Sequence, residues 1–445
     1  MLFYFQEKDD LKNLNGKENR LMNPRIFCPT EILMPDFSKT DGTRWSVVAC
    51  DQYTSDPSYW KKTEEIVGDA PSTLRLMLPE IFLGESGERI PKIHAEMERA
   101  IRETLTAHPN AMVYLERTQA DGRVRRGVIG AVDLEEYDYR KGSTSPVRAT
   151  EGTVLERIPP RVAVRRGAAL ELPHVMLLID DPDRTVIEPL AGTLGTGGGK
   201  PVYDFDLMQN GGHVRGYAIP TAAQEEVMRA LGALATPEAM AAKYGSGDPA
   251  PLLFAVGDGN HSLASAKAYY EELKASLGEA AQSHPARYAL CEVVNVHDPA
   301  LDFEPIYRVV FGADPAGLLA AFRTYCGKLK GNAAVQTIDV LAGGATETVN
   351  IPYPEKQLAV GTLQAFLDAY LAEHPEAKVD YIHGEDAVRA LVAAAPENVG
   401  FLFEGMQKSD LFRTVIYDGA LPRKTFSMGH AHDKRFYLEC RKIGE

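Results

Sequence analysis

The chain has 445 residues, with 48 Lys and Arg against 62 Asp and Glu and a formal net charge of -14 at pH 7. Its 44% apolar and 25% charged residues are typical of a soluble globular protein, which excludes wholesale disorder, a fibrous repeat and a disulfide scaffold. The acidic balance argues against non-specific binding to nucleic acid or anionic lipid and favours a protein that handles small molecules.

The first 21 residues are polar and show no helical or strand periodicity. We predict a disordered extension over residues 1–21, with natural translation starting at Met22. The rest of the chain is longer than one hydrophobic core usually fills. We expect a mixed α/β domain over residues 22–310 and a second α/β block over residues 311–445.

Hydrophobic periodicity places the elements of the first domain. A hairpin is expected at Asp121-Gly122, because this dipeptide favours tight turns. The predicted elements, in chain order, are a strand starting at Trp45 and running into a polar turn by Tyr53, helices 59–67 and 92–107, strands 112–115, 124–132, 175–179 and 251–256, helix 262–281 and strand 288–296.

Between strand 175–179 and strand 251–256 lies a glycine-rich stretch, residues 191–216, which we predict to be a long loop. It contains a run of glycines ending at Lys200. A phosphate-binding P-loop needs glycine six residues before the lysine and Ser or Thr after it, but the chain has Leu194 and Pro201 there. A flexible loop or lid is the favoured interpretation.

In the second block helices and strands alternate, as is typical of α/β proteins. The final residues are expected to end in a strand. The predicted elements are helix 314–328, strand 335–340, helix 361–373, strand 378–382, helix 385–395, strand 399–403 and helix 407–417.

The most informative local pattern is the turn at residues 257–261, between a buried strand and an Ala-rich helix. A helix start carries unpaired backbone N–H groups and a positive dipole end, so it stabilises an anion. Gly257 and Gly259 permit a sharp turn, Asn260 and His261 add hydrogen-bond donors, and Asp258 supplies a carboxylate. The alternative is that Asp258 or Ser262 only caps the helix and His261 packs at the turn.

The segment of residues 256–267 resembles the Asp-Gly-His-His-Arg helix opening of the bacterial and archaeal family known as domain of unknown function 1015. Other segments agree in order, and the resemblance runs from about residue 24 to residue 442. These segments are residues 127–137, 148–151, 160–161, 307–310 and 419–425.

The family's motif is in turn similar to the phosphate-gripping turn of the ParB and sulfiredoxin superfamily, which includes free-serine kinases. The resemblance implies a ParB/sulfiredoxin-like core and a small-molecule phosphotransferase, acting on serine or a similar hydroxylated metabolite. The implied cofactors are Mg²⁺ and a nucleotide or pyrophosphate as phosphate donor.

The sequence departs from the family at the turn, where Asn260-His261-Ser262 replaces His-His-Arg, and at Thr150-Glu151, which replaces His-Glu. The arginine that would hold a phosphate is therefore missing. We expect Glu151 and Asp258 to act as base or magnesium ligands, with His261 as a third catalytic residue. The expected phosphate or substrate contacts are Asp51, Arg148, Thr150, Arg161, Gly257, Gly259, Asn260, Ser262, Arg308 and Lys424.

Two further patterns contain residues that could carry chemistry. His430 and His432, next to Asp433, have the spacing of metal ligands on a strand, but a third ligand is not apparent and a polar loop explains the same residues. The five cysteines form no C-x-x-C pair and indicate reduced thiols in a cytoplasmic protein. Cys50 precedes Asp51, yet no histidine is evident to activate it.

Alternative functions remain open at this point. A non-catalytic sensor of nucleotides or phosphorylated metabolites would use the same helix start. A role in DNA binding is disfavoured by the net charge and by the lack of a basic stripe. No apolar run approaches the roughly 18 residues of a membrane helix, so no membrane partner is expected. A homo-oligomer is compatible with the sequence.

Overall fold

The computed structural model describes residues 26–245 and 250–444. The extension predicted over residues 1–21 lies outside this part of the chain. The fold is mixed α/β, as the sequence predicts, and contains a ten-stranded sheet and a six-stranded sheet. No helix in the two described ranges is long and apolar enough to cross a membrane.

The larger sheet has the strand order β10-β11-β4-β5-β13-β9-β12-β7-β6, with β1 paired to β5. Strand β9 lies parallel to β13 and antiparallel to β12. All of β9 and nearly all of β13 are buried, which explains their continuous apolar runs. The strands are β1 Phe27–Cys28, β4 Val113–Thr118, β5 Val124–Asp133, β6 Tyr137–Asp138, β7 Val147–Ala149, β9 Met176–Ile179, β10 Tyr203–Asp206, β11 His213–Ala218, β12 Phe254–Asp258 and β13 Tyr288–Asn295.

The smaller sheet is antiparallel, with the order β16-β15-β18-β14-β17 and β19 paired to β14. Gly343 and Gly344 both have positive φ and join β15 to β16 in a two-residue hairpin. The sequence prediction missed β16. The strands are β14 Phe303–Phe311, β15 Gln336–Ala342, β16 Ala345–Ile351, β17 Lys378–His383, β18 Val399–Phe403 and β19 Phe426–Met428.

Helices and short strand pairs cover the two sheets. The α-helices are α1 Gly42–Trp45, α2 Pro57–Val67, α3 Ser86–Glu103, α4 Ile158–Arg165, α5 Glu188–Leu190, α6 Thr221–Leu234, α7 Pro237–Tyr244, α8 Asn260–Leu277, α9 Pro315–Lys328, α10 Ala359–Glu373, α11 Glu385–Ala394 and α12 Asp410–Asp418. The two short pairs are β2 Thr30–Pro35 with β3 Leu105–Ala111, and β8 Leu170–Glu171 with β20 Arg441–Lys442. The 3₁₀ and π turns are Thr73–Arg75, Glu80–Glu85, Leu134–Glu136, Leu155–Arg157, Ala191–Gly195, Gly278–Ser283, Pro285–Arg287 and Ala431–Asp433.

Three predicted elements in the first part of the chain differ from the structure, one of them only at its end. The helix expected over residues 92–107 ends at Glu103, and the chain continues as β3, because Pro109 cannot extend a helix. Trp45 does not start a strand but ends α1, a short helix capped by Asp41. The glycine-rich stretch is not one long loop: it includes the hairpin β10–β11, in which Gly216 leaves room for the ring of Tyr203.

The C-terminal segment, residues 434–443, returns to the core beneath the larger sheet. Phe436 packs there, and Cys440 exchanges backbone hydrogen bonds of 2.7 and 2.8 Å with Leu33. Arg435 forms buried ion pairs with Glu292 at 2.7 Å and Glu439 at 2.5 Å. The C-terminal segment thus packs in a hydrophobic core that is built mainly from residues 22–310, which we call the first core. The predicted boundary between residues 310 and 311 stays a prediction.

Candidate functional site

The start of α8 is fixed by a glycine in the left-handed region. Gly259 has a φ of 76°, and a Cβ there would lie 3.0 Å from the Cα of Val175. Such a turn favours glycine on both conformational and steric grounds. Asp258 accepts a hydrogen bond from the Gly259 amide at 3.0 Å. The strand, the turn and the helix therefore place the Asp258 carboxylate at the helix start.

This helix start opens onto a cleft between the two sheets, with a volume of about 210 Å³. We call it the inter-sheet cleft. Residues from both sheets and from the C-terminal segment line it. They are Thr150, Glu151, Gly257, Asp258, Asn260, Ile306, His383, Lys424, Phe426, Ser427, Met428 and Lys434.

Glu151 is the most perturbed carboxyl group in the cleft. Burial, and secondarily the charge of Asp258, raise its pKa to about 6. A hydrogen bond from the Lys424 backbone and the charges of Lys434 and Arg308 oppose this rise. The Glu151 carboxyl group is therefore poised to exchange a proton near neutral pH.

Two lysines bring positive charge to the cleft. The ammonium group of Lys434 lies 3.2 Å from the Asp258 carboxylate. Lys424 lines the same cleft from a residue with a φ of 54°, and its ammonium group lies 5.3 Å from the centre of the Tyr381 ring. The sequence does not predict Lys434, His383 and Ser427, since no motif marks them and only the fold brings them to the helix start.

Asn260 and Thr150 connect the helix start to the neighbouring strand β7. The Thr150 hydroxyl donates to the Val256 carbonyl at 2.6 Å, and the Asn260 amide nitrogen lies 3.4 Å from the Thr150 oxygen. The Asn260 side-chain oxygen is buried and accepts no hydrogen bond within residues 26–245 and 250–444. This oxygen is available to a ligand in the cleft.

His261 and Ser262 do not line the inter-sheet cleft. His261 accepts a hydrogen bond from the Val154 amide at 3.3 Å on its Nε2, so its proton resides on Nδ1. Burial and the charges of Arg161 and Arg157 lower the pKa of His261. Ser262 instead lies 2.7 Å from His174 Nε2.

Arg161 and Asp51 also lie away from the cleft. Arg161 forms an ion pair with Glu80 and donates to the Arg157 carbonyl at 2.6 Å. Asp51 accepts a hydrogen bond from Gln52 at 3.0 Å. Asp51 and Arg161 are among the charged groups that act electrostatically on His261.

Arg148 and Arg308 are held by backbone carbonyls. Arg148 donates to Ser145 at 2.6 Å and to Ala250 and Pro251 at 2.7 Å. Arg308 is fully buried and donates to the carbonyls of Lys424 at 3.0 Å, Arg423 at 3.2 Å and Ile306. Burial lowers the pKa of each guanidinium to about 10. The direct contact of Arg148 and Arg308 with phosphate stays a prediction. In the structure, Arg308 holds the backbone of Lys424 through its hydrogen bond to the Lys424 carbonyl.

The described residues contain no group of three or more His, Cys, Asp or Glu side chains that could hold a metal ion. The rings of His430 and His432 stack with their centres 5.3 Å apart, in a 3₁₀ turn rather than on a strand. A magnesium site needs fewer protein ligands, because Mg²⁺ usually binds one or two carboxylates together with substrate phosphates and water. Glu151, Asp258 and the free oxygen of Asn260 fit that requirement in the inter-sheet cleft.

Comparison with solved structures gives remote similarities. Free serine kinase in complex with AMP is 11% identical, with a TM-score of 0.33, over 68% of this chain and 92% of that one. A conserved hypothetical protein from Pyrococcus furiosus is 10% identical, with a TM-score of 0.31, over 69% and 95%. SbnI from Staphylococcus aureus, truncated at its C-terminus, is 10% identical, with a TM-score of 0.33, over 68% and 82%.

No curated protein matches the sequence. A family model described as "protein of unknown function (DUF1015)" matches residues 35–405. This match covers most of the chain and includes the Asp258 turn, Glu151 and β14. The chain therefore belongs to the DUF1015 family.

Proposed function

We propose that the inter-sheet cleft binds the phosphate groups of a small molecule and transfers a phosphoryl group to the hydroxyl of a metabolite such as serine. The observation that carries this proposal is the Glu151 carboxyl group, which has a pKa of about 6 and shares the cleft with two lysines at a helix start. Phosphoryl transfer needs cations around the phosphate oxygens and a group that orients or deprotonates the attacking hydroxyl.

The phosphate site in this proposal consists of Lys424, Lys434 and the start of α8. The first backbone hydrogen bond of the helix runs from Leu263 N–H to the Gly259 carbonyl at 3.0 Å, so the N–H groups before Leu263 precede the helical ladder. An anion at such a helix start is stabilised by these groups and by the helix dipole. The lysines supply the charge that the missing arginine of the family motif would provide.

Glu151 is the base in this proposal. Above pH 6 its carboxylate accepts the proton of the acceptor hydroxyl while the hydroxyl oxygen attacks phosphorus. Burial, and secondarily the charge of Asp258, keep the pKa of Glu151 high, and Lys434, which pairs with Asp258, opposes this rise. Activity should therefore rise with pH through about 6 and level off above it.

Magnesium and a nucleotide or pyrophosphate donor complete the proposal. Asp258 and the Asn260 oxygen are the residues that would hold the ion, and Glu151 would stay free of it to act as the base. When bound, Mg²⁺ would neutralise charge on the phosphate oxygens. The protein's own contribution is to hold the donor phosphates between Lys424 and Lys434 and to present the Glu151 carboxylate to the acceptor.

The test is a transfer assay with ATP or pyrophosphate against a panel of hydroxylated amino acids, combined with calorimetric binding. We expect Glu151→Gln to lower turnover by 10²-fold or more while leaving donor binding within a few fold. Glu156→Gln is the matched control, because Glu156 is an exposed residue of the same loop. Donor binding without transfer by the wild type would contradict catalysis and support a non-catalytic sensor.

A further inference from the structure

A second cavity lies on the other side of the helix start. Its volume is about 150 Å³, and it is bounded largely by apolar side chains, among them Leu78, Met97 and Val164. We call it the Ser262 cavity, after the hydroxyl group that faces it. It is separate from the inter-sheet cleft, with which it shares no lining residue.

The charged groups at this cavity are already neutralised. Arg161 pairs with Glu80, and Arg165 pairs with Glu171. An anion would have to break one of these pairs, whereas a neutral ligand leaves both intact. The apolar walls and the balanced charges therefore suit a neutral, largely apolar molecule rather than a phosphate.

Ser262 begins a chain of hydrogen bonds whose members all line the cavity. Its Oγ lies 2.7 Å from His174 Nε2, and His174 Nδ1 lies 2.8 Å from the Tyr437 hydroxyl. His174 and Tyr437 are buried, with 7% and 2% of their surfaces exposed. Tyr437 in turn accepts a hydrogen bond from the Cys50 amide at 3.2 Å.

This chain has the chemistry of an activated nucleophile. When the Ser262 hydroxyl donates to His174 Nε2, the Nδ1–H donates to Tyr437, and the imidazole can take the serine proton. Burial raises the pKa of Tyr437, so its hydroxyl stays neutral and fixes the orientation of the imidazole. The inter-sheet cleft requires neither His174 nor Tyr437.

The size of the cavity fits a short acyl substrate. A dry cavity of about 150 Å³ holds a molecule the size of benzene. The Ser262 cavity, of about 150 Å³, thus has room for an acyl chain of roughly four to six carbons.

We propose that Ser262 and His174 form a second catalytic site that cleaves short-chain, neutral carboxylic esters. The Ser262 oxygen forms a bond to the ester carbonyl carbon, and its proton passes to His174 Nε2. The carbon–oxygen bond to the alcohol breaks, and the alcohol leaves with the proton from His174. Water then cleaves the acyl-serine by the same route, which regenerates the Ser262 hydroxyl and releases the acid.

The test uses the full-length protein with a fluorophosphonate probe and with p-nitrophenyl butyrate. The probe forms an oxygen–phosphorus bond to an activated serine and releases fluoride. We expect peptide mapping of the wild type to place the adduct on Ser262. This mapping needs no variant, so it stays informative if a substituted protein fails to fold.

Variants then assign the roles. Ser262→Ala and His174→Gln should lower ester hydrolysis by 10²-fold or more. Ser276→Ala is the matched control, because Ser276 lies on the same helix outside the cavity and donates its hydroxyl to the Leu273 carbonyl at 3.0 Å. Labelling and hydrolysis should persist in this control. No adduct on the wild type, an adduct on another residue, or full hydrolysis by Ser262→Ala would each overturn the proposal.

Discussion

At the scale of single residues, the charge of Glu151 serves the proposed function but lowers the stability of the folded protein. Glu151 is ionised at neutral pH although burial and Asp258 oppose its charge. A carboxyl group whose pKa is raised by folding binds its proton more tightly in the folded state. The free energy of unfolding therefore falls as the pH rises from the pKa of Glu151 in the unfolded chain to its higher pKa in the folded protein.

The first prediction concerns the stability of Glu151→Gln. The pKa of Glu151 rises from 4.5 to about 6 on folding, which corresponds to about 2 kcal/mol at most above pH 6. Denaturant unfolding at pH 8 should show the variant more stable than the wild type by up to about this amount. The gain should vanish near pH 4. An equal difference at both pH values would contradict the ionisation of a buried Glu151.

A second prediction separates a structural arginine from a ligand-binding lysine. Arg308→Leu leaves the carbonyls of Ile306, Arg423 and Lys424 without their donor. The expected loss is about 3 kcal/mol or more in unfolding free energy. Lys424→Met should change stability by less than about 0.5 kcal/mol and weaken binding of pyrophosphate. The opposite pattern in unfolding and calorimetry would reverse these assignments.

The sequence predicted some of these residues for physical reasons that are local. Gly257, Asp258 and Asn260 follow one another at a helix start, so a single motif identifies all of them. Arg148 was predicted as a phosphate contact, yet its guanidinium donates to three backbone carbonyls. Whether an arginine meets solvent, ligand or carbonyls depends on the chain that folds around it, which no local pattern specifies.

At the scale of elements, the turn between β12 and α8 sets the geometry of both cavities. Asn260 lines the inter-sheet cleft, whereas Ser262, two residues later in the same helical turn, lines the Ser262 cavity. A change in the direction of this one turn would move both side chains. Gly259, at the centre of this turn, therefore determines the positions of both side chains.

The third prediction concerns this glycine. Gly259→Ala places a side chain in the left-handed region and 3.0 Å from Val175, at a cost of about 1–2 kcal/mol in unfolding free energy. Pyrophosphate binding should weaken as well. Gly278→Ala, at the other end of α8, also has positive φ but meets open space. It should lose stability yet keep binding, and weakened binding in both variants would contradict a specific role for the Gly259 turn.

The sequence predicted helices and strands correctly where a strong local pattern is compatible with only one type of element. The Asp121-Gly122 hairpin is confirmed, with Thr118 opposite Val124, and strand 399–403 is found at the predicted residues. Strand β16 was missed because its alternation of apolar and polar residues is weak, and two of its seven residues are buried. Strand β3 was taken for helix because the amphipathic pattern of α3 continues past its end.

At the scale of the whole molecule, the C-terminal segment connects the site to the first core. Lys434 reaches Asp258 from this segment, and the neighbouring Arg435 and Phe436 are buried beneath the larger sheet. The position of Lys434 in the cleft thus depends on packing against core residues such as Ile32, which lies about 400 residues earlier in the sequence. Local sequence analysis cannot detect such a dependence.

The fourth prediction follows from that packing. Phe436→Ala removes a ring that is 1% exposed and should cost about 3–5 kcal/mol in unfolding free energy. Pyrophosphate affinity should fall with it, because the backbone that carries Lys434 loses its anchor. Tyr353→Ala is the control, since Tyr353 is 62% exposed and should change stability by less than about 0.5 kcal/mol. A stable Phe436→Ala protein with normal affinity would contradict this coupling.

The central claim is that the inter-sheet cleft is a phosphate site completed by Lys434. Calorimetric titration of pyrophosphate into the wild type, Lys434→Met and Lys442→Met tests it most directly. Lys442 is the control because it pairs with Glu31 at 3.6 Å on the surface. We predict binding to the wild type and Lys442→Met, with an affinity at least tenfold lower for Lys434→Met. Equal affinity for all three proteins, or no binding to the wild type, would contradict the claim.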